Sequence, residues 1–453
     1  MTNLLASGVL STIWSILLAL FMLLIMITIH ELGHYLAGKI FKFKINEFAI
    51  GMGPAIFKKT SKKTEEVFSI RALPLGGFCA FEGEDEESSS LGAFNNKEPW
   101  KRIIVLVAGA TMNMVLGVII LILSVGIYGQ LSVQTYDVVP TTNAEYVGYS
   151  LVNDDTILEI DGKNVFLSTD IATAIDGKNK GDIITVKVKD AKGDIVERKV
   201  RLRNAVDIES LADPFSAFTA LGVATIQKVS GGELDGKYLL RVKDSDSYEN
   251  CSRIFDLKDF ISYAKKISVG ETLAFYYSAG GDDRQEKSVV VTEDLSAKTS
   301  EEILAYLGMN ETSTYLKYDT QNVKFGFFET IERGIQYSIS IGGTIFRTLG
   351  ELLTGKLSIR AMGGTVTTIK VTANAIKVGG FNYFLEMAGF IGVNLAVFNL
   401  LPIPALDGSR VVFCVIEWIR KKPLNRKVEG VIHGVGLVLL LGFSILVDAL
   451  QLF

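Results

Sequence analysis

Cysteine and histidine are the scarce residues of this 453-residue chain, at three each. Cys79, Cys251 and Cys414 stand far apart with no Cys-x-x-Cys pair, so a disulfide framework or a thiolate zinc site is excluded and the three read as isolated thiols. Histidine chemistry of any kind must draw on His30, His34 and His433. An excess of charge of one sign is missing too. With 46 Lys and Arg against 50 Asp and Glu the formal net charge is -4, and nothing marks nucleic acid as a partner.

What the chain has instead is apolar sequence. Hydrophobic residues make up 48% of it and the mean hydropathy is +0.32, too oily for an ordinary soluble protein. Four apolar runs, at about 11–38, 103–129, 381–403 and 429–450, each approach the ~20 residues that a helix needs to cross a bilayer core. The first run has no basic leader and no Ala-x-Ala-like cleavage site, and reads as a retained span rather than a signal peptide.

Basic residues set the orientation. Ten Lys and Arg lie between Lys42 and Arg102 and six between Arg410 and Lys427, while the stretches before Lys39 and after Lys427 have none. Both loops are therefore expected in the cytoplasm, with the two termini and the long segment between spans two and three outside. That segment, about 130–325, alternates β-branched runs such as 182–189 with Gly, Asp and Asn turns, an α+β pattern. It also repeats: Phe166 to Asp170 followed by Gly181-Asp182 recurs as Phe255 to Asp259 followed by Gly270-Glu271, at the same spacing, which predicts two similar modules in tandem. Residues 326–378 carry an amphipathic spacing that fits helices at the membrane interface or helices packed on the outer domain.

His30 and His34 are four apart within a helical run, so both rings leave one face and can share a metal, with Glu31 beside them as a general base. Ionisable side chains inside a span are costly and mark function. Zinc catalysis asks for a third ligand and an open position. Asp407, in Asn399-Leu-Leu-Pro-Ile-Pro-Ala-Leu-Asp-Gly408 at the cytoplasmic end of span three, is the candidate at matching depth; capping a helix ahead of Gly408 is its alternative role. Pro402 and Pro404 break the helix there and free backbone that must line a watery cavity. His433, at the start of span four, reads as an interfacial histidine.

The motifs His30-Glu-Leu-Gly-His34, Gly51-Met-Gly-Pro54, Leu73-Pro-Leu-Gly-Gly77 and Asn394 through Asp407-Gly408, in this order over nearly the whole chain, resemble the site-2 protease family, in its bacterial PDZ-containing branch of the regulator of sigma-E protease type. The resemblance implies Zn2+ held by His30, His34 and Asp407, Glu31 as catalytic base, and membrane-associated β structure bearing Gly51, Gly53, Gly76 and Gly77, where an unwound substrate could add a strand. It implies that Asn394 and Asn399 contact substrate or order the loop.

Residues 151–162, with Asp155 and Ile160-Asp161-Gly162, are similar to the core of a PDZ domain. Asp154 stands where such domains usually have Gly, and the second module lacks a clear binding-loop signature. Met362-Gly-Gly-Thr365 replaces the family's Ser-Gly-Pro, and the acidic run Glu82 to Glu87 reads as a solvated cytoplasmic loop.

The expected architecture is thus a polytopic α-helical membrane protein with four transmembrane helices, a membrane-associated β-hairpin and an extracytoplasmic α+β insert of PDZ-like modules. The divisions are 1–41 for the first span, 42–101 for the β-rich loop, 102–130 for the second span, and 131–205 and 206–325 for the two modules. Interfacial helices follow at 326–380, the third span at 381–408, a cytoplasmic loop at 409–428 and the fourth span at 429–453. The expected activity is zinc-dependent cleavage of single-span membrane proteins within the lipid bilayer of a bacterial cytoplasmic membrane, on anti-sigma factors or remnant signal peptides, after trimming by an upstream site-1 type protease. A catalytically silent scaffold that captures outer peptides is the competing reading; Glu31 beside the two histidines argues against it. Zinc transport would need more polar groups than the Asn113 and Thr111 of span two.

Overall fold

The computed structural model describes residues 2–84, 88–135, 147–206, 215–223, 225–248, 251–254, 257–279, 284–316, 318–357, 359 and 363–450. Asp85 to Glu87 of the acidic run, Phe255 of the repeat and Met362 fall outside them. In chain order the elements are α1 (Thr2–Ile40), β1 (Ile45–Thr60), β2 (Val67–Phe81), α2 (Pro99–Tyr128), β3 (Gln130–Thr135), β4 (Thr156–Ile160), β5 (Lys163–Asn164), α3 (Ser168–Ile175), β6 (Ile183–Lys189), β7 (Ile195–Arg201), α4 (Phe215–Ala220), β8 (Thr225–Gly232), β9 (Tyr238–Val242), α5 (Leu257–Ala264), β10 (Thr272–Ser278), β11 (Gln285–Val290), α6 (Ser300–Tyr306), β12 (Met309–Leu316), β13 (Tyr318–Val323), α7 (Phe327–Leu353), α8 (Thr365–Asn399), α9 (Asp407–Arg420) and α10 (Arg426–Leu450). They fall into two compact units, 1–130 with 322–453, and 131–321.

In the first unit, α1 from Thr12 onward, α2, α8 and α10 from Lys427 onward are long and apolar enough to cross a membrane. Glycine brings three of them together, as expected where lipid gives helices no hydrophobic reason to associate and close backbone packing must do it. A Cβ at Gly33 of α1 would lie 2.4 Å from the Ala108 carbonyl oxygen of α2, and one at Gly392 of α8 would lie 3.1 Å from Gly117 Cα of α2. Helix α8 breaks at Gly380 (φ 63°, ψ -142°), so a helix from Thr365 meets, end to end, the span expected from 381. Amphipathic α7 buries Arg333, Tyr337, Ile341 and Ile345 along one face; Gly334 seats on Ile122 of α2, and Tyr337 donates to Glu386 of α8 at 2.8 Å. It thus packs on the long helices.

Where the sequence suggested a loop over 409–428, the chain forms α9, which buries an ion pair between Glu417 and Arg102 of α2. Helix α10 touches the rest of the unit at few points: among its described residues only Gly436 and Val447 are buried. Near its C-terminal end the Asp448 carboxylate accepts the Val366 and Thr367 N–H groups at 3.0 Å, capping α8 from outside its own segment.

Strands β1 and β2 form a hairpin that doubles back on itself. Residues 45–50 pair with 77–81 on one side and with 67–70 on the other, while 67–71 also pair with 55–60, so two bent strands make four ladder positions. The corners are glycine. Gly51, Gly53 and Gly76 have φ of +86°, +83° and +89°, and a Cβ at Gly51 would strike the Leu73 carbonyl at 2.6 Å.

The second unit holds two cores. One sheet has the order β13-β3-β4-β6-β7, the other β12-β8-β9-β10-β11. The glycine turns of the repeat make matching hydrogen bonds in the two modules. Gly181 N–H donates to Leu202 O and Gly270 N–H to Val291 O, both at 2.8 Å, and Asn179 N–H donates to Asp182 Oδ2 as Ser268 N–H does to Glu271 Oε2, again at 2.8 Å. The modules are nested rather than strictly tandem. Helix α4, past the break expected at 205, packs into the first core through Ala217 and Phe218, and β13 joins the first sheet only after the whole second module has been traversed. The insertion is geometrically cheap because β8 and β12, the ends of the inserted module, pair with each other from Thr225↔Leu316 onward.

Candidate metal centre

The centre is assembled from three elements of the first unit. Helix α1 carries His30, Glu31 and His34, α2 passes behind the histidines, and Asp407 opens α9 after the irregular residues 400–406 that follow α8. His30 and His34 are buried and their rings meet edge to face with centroids 4.7 Å apart. Their Nε2 atoms are 3.1 Å apart, and Asp407 Oδ2 lies 3.0 Å from His30 Nε2 and 3.3 Å from His34 Nε2.

This triangle suits a metal. Ligand bonds of about 2.0–2.2 Å in a tetrahedral arrangement put donor atoms about 3.3–3.6 Å apart, slightly wider than this triangle, and two imidazoles with one carboxylate form a three-ligand catalytic zinc set with a position to spare. The other ring nitrogens are oriented for the same purpose. His34 Nδ1–H donates to the Val105 carbonyl of α2 at 2.8 Å, which leaves Nε2 free to ligate. His30 Nδ1 faces the Asn399 side-chain amide at 3.5 Å; with the amide turned to present Oδ1, Asn399 accepts the Nδ1 proton and fixes the same tautomer on the second ring.

Two glycines are required sterically: Gly109, which sequence reading missed, and Gly408, which it noted beside Asp407 without a role of its own. A Cβ at Gly109 of α2 would sit 2.4 Å from His34 Nε2 and 2.9 Å from His30 Cε1, and one at Gly408 would lie 2.3 Å from the carbonyl oxygens of both Leu400 and Leu401. Gly109 gives the rings their space, and Gly408 lets α9 start tight under the end of α8. Neither has a local sequence signal beyond being glycine in an apolar run or after Asp407.

Of the hairpin glycines, Gly77 comes up to the site: its Cβ position lies 3.6 Å from Glu31 Cγ. Gly51, Gly53 and Gly76 form the corners that bring this strand there. Asn394 is not beside the histidines in the way Asn399 is. Its amide donates to the Phe390 carbonyl at 2.8 Å and it lines a cavity of about 190 Å³ between α7 and α8, with Ile341, Ile345 and Phe398.

Comparison with known proteins gives the family. The chain is 26% identical to the regulator of sigma E protease of Haemophilus influenzae over 96% of its own length and 98% of the relative's, and 25% identical to the zinc metalloprotease RasP of Bacillus licheniformis over 91% and 92%. The sequence profile of peptidase family M50 matches residues 18–443, a stretch that takes in the histidine pair, the β hairpin and Asp407. The chain therefore belongs to peptidase family M50, the site-2 proteases, and is a membrane zinc metallopeptidase with Zn2+ as its cofactor.

Proposed function

We propose that the protein is an intramembrane endopeptidase that hydrolyses a peptide bond within the transmembrane segment of single-span membrane proteins, with Zn2+ held by His30, His34 and Asp407. The observation that carries this reading is the convergence of the three ligand atoms within 3.0–3.3 Å of one another, with Glu31 on the adjacent position of α1. When bound, zinc supplies Lewis acidity and makes water nucleophilic at neutral pH. Glu31 accepts the proton of the attacking water and returns it to the leaving amide nitrogen, so that one water and one amide give a carboxylic acid and an amine.

The β hairpin supplies the substrate's place. An intramembrane helix hides its amides from attack, so it must unwind, and the freed backbone then needs partners. Residues 77–81, on an outer ladder position beside Glu31, offer a strand edge to it, held there by the corners at Gly51, Gly53 and Gly76.

The two nested modules are read as PDZ-like and extracytoplasmic, together with both termini. Their role is to admit substrates whose outer domain a site-1 type protease has already trimmed. In the first module Asp154 takes φ +69°, the conformation for which glycine is the usual choice, and Asp155 is braced by Arg198 at 2.5 and 2.9 Å. The substrate classes proposed are anti-sigma factors and remnant signal peptides; the name of the Haemophilus relative, regulator of sigma E protease, points to sigma-factor control.

The test is cleavage of a reporter single-span substrate by the purified protein, with and without a zinc chelator, beside Glu31→Gln. The expected result is loss of cleavage under chelation, and a fall of about 10²–10⁴-fold in the variant with its zinc retained. Undiminished cleavage by Glu31→Gln would remove Glu31 from its role, and cleavage that withstands complete zinc removal would remove the metal.

A further inference from the structure

Asp407 reaches the histidines from the end of an irregular stretch in which Ile403 N–H donates to the Leu401 carbonyl and Leu406 N–H to the Ile403 carbonyl, while Ala405 N–H turns to a partner from another helix. Pro402 and Pro404 have no backbone N–H to give. Ala405 adopts φ +79°, a left-handed conformation that a residue with a Cβ keeps only where its surroundings impose it. Two residues of α10 stand against this turn.

His433 Nδ1 accepts the Ala405 N–H at 3.2 Å, and the His433 ring rests edge to face on Phe413 of α9, with centroids 5.6 Å apart. Three residues on, Gly436 is one of the two buried positions among the described residues of α10, and it is buried against this same stretch: a Cβ there would lie 2.4 Å from Pro404 Cβ and 2.8 Å from the Pro404 carbonyl oxygen. The neighbouring Gly434 faces open space. A helix that otherwise shows most of its surface outward therefore spends one of its few close contacts on the two residues that precede Leu406-Asp407.

We propose that His433 and Gly436 are positioning residues for the metal centre: they clamp Pro404 and Ala405 so that Asp407 arrives at His30 and His34 in ligating geometry. The clamp rests on the reading of Asp407 as a zinc ligand. Sequence alone made His433 an interfacial histidine; its ring instead turns inward and accepts the Ala405 N–H.

The experiment uses the full-length protein in detergent and measures zinc affinity by competition with a chelator, together with amide hydrogen exchange over residues 403–408. His433→Leu and Gly436→Ala are expected to weaken zinc binding about 10–100-fold, the usual effect of losing a group that orients a ligand, and to speed exchange at Ala405. His433→Asn is expected to recover most of the affinity, because its Oδ1, like the histidine Nδ1, is attached to Cγ and can accept the same N–H. Gly434→Ala is expected to bind as the parent does. Parental affinity in folded His433→Leu, or a loss in His433→Asn or Gly434→Ala as large as that in His433→Leu, overturns the clamp. An Asp407→Ala variant that still holds zinc as tightly as the parent overturns the ligand reading instead, whatever the His433 variants do.

Discussion

The Cβ position of Gly109 lies 2.4 Å from His34 Nε2, so α2 can pass behind the histidine pair only where its side chain is a hydrogen atom. The histidine pair of the candidate metal centre is thus shaped by α1 and α2 together, since the same stretch of α2 supplies the Val105 carbonyl that orients His34.

Gly109→Ala is therefore expected to abolish zinc binding and cleavage together, since the added methyl must displace either a ligand ring or the helix itself. Overpacking of this kind costs about 1–3 kcal/mol even where no ligand is displaced. Gly343→Ala on α7, where nothing lies within 4 Å, is the matched control and is expected to change neither. Zinc content by elemental analysis of the purified variants checks it; a stoichiometrically loaded Gly109→Ala protein would contradict the packing argument.

The two asparagines should separate in kinetics. Asn399 faces His30 Nδ1, so Asn399→Ala is expected to weaken zinc binding about 10–100-fold, as loss of a group behind a ligand does. Asn394 faces a cavity between α7 and α8, so Asn394→Ala should leave zinc affinity alone and act on KM for the substrate. Chelator competition and substrate titration on both variants decide it, and a reversed pattern would exchange the two roles.

Nesting of the second module makes a prediction about deletions. Thr225 and Leu316 are direct ladder partners, and such partners have Cα atoms about 4.5–5.5 Å apart, so excising 225–316 and bridging the ends with a short glycine linker should leave the first module folded. Excising 206–325 removes α4 and β13 and strips Ala217 and Phe218 from the first core, and should yield protein that is degraded or aggregates. Limited proteolysis and zinc content of the two truncated proteins distinguish nested from tandem modules.

Arg102 and Glu417 are buried together, with 4% of each side chain exposed, and they tie α2 to α9 a few turns from Asp407. Removing one partner takes away a buried counter-charge, at a cost of about 3–5 kcal/mol. Arg102→Ala is expected to lower the thermal unfolding temperature well beyond Lys101→Ala, whose pairing with the more exposed Glu98 contributes little. Equal shifts for the two variants would show the pair to be energetically idle.

Much of this protein can be read along the chain, and the reason is the same in each case: the signal is carried by residues close in sequence. The His30-Glu31-x-x-His34 face follows from helical periodicity, the four long helices from runs of apolar residues, and the module repeat from two glycine turns at equal spacing, which the structure returns as matching hydrogen bonds. Asp407 could be named as a candidate, but its alternative as a helix cap could not be dismissed from spacing, since it does open α9.

Only the tertiary structure decided the rest. Val105 and His34 are 71 residues apart, and Ala405 and His433 are 28 apart across a turn of the chain, so no local pattern announces either bond. The doubled pairing of the β hairpin, the return of β13 to the first sheet and the glycines that admit a neighbouring helix share this character. Periodicity tells a segment which face to bury; which atom will stand opposite that face depends on segments far along the chain, and is fixed only when close packing brings them together.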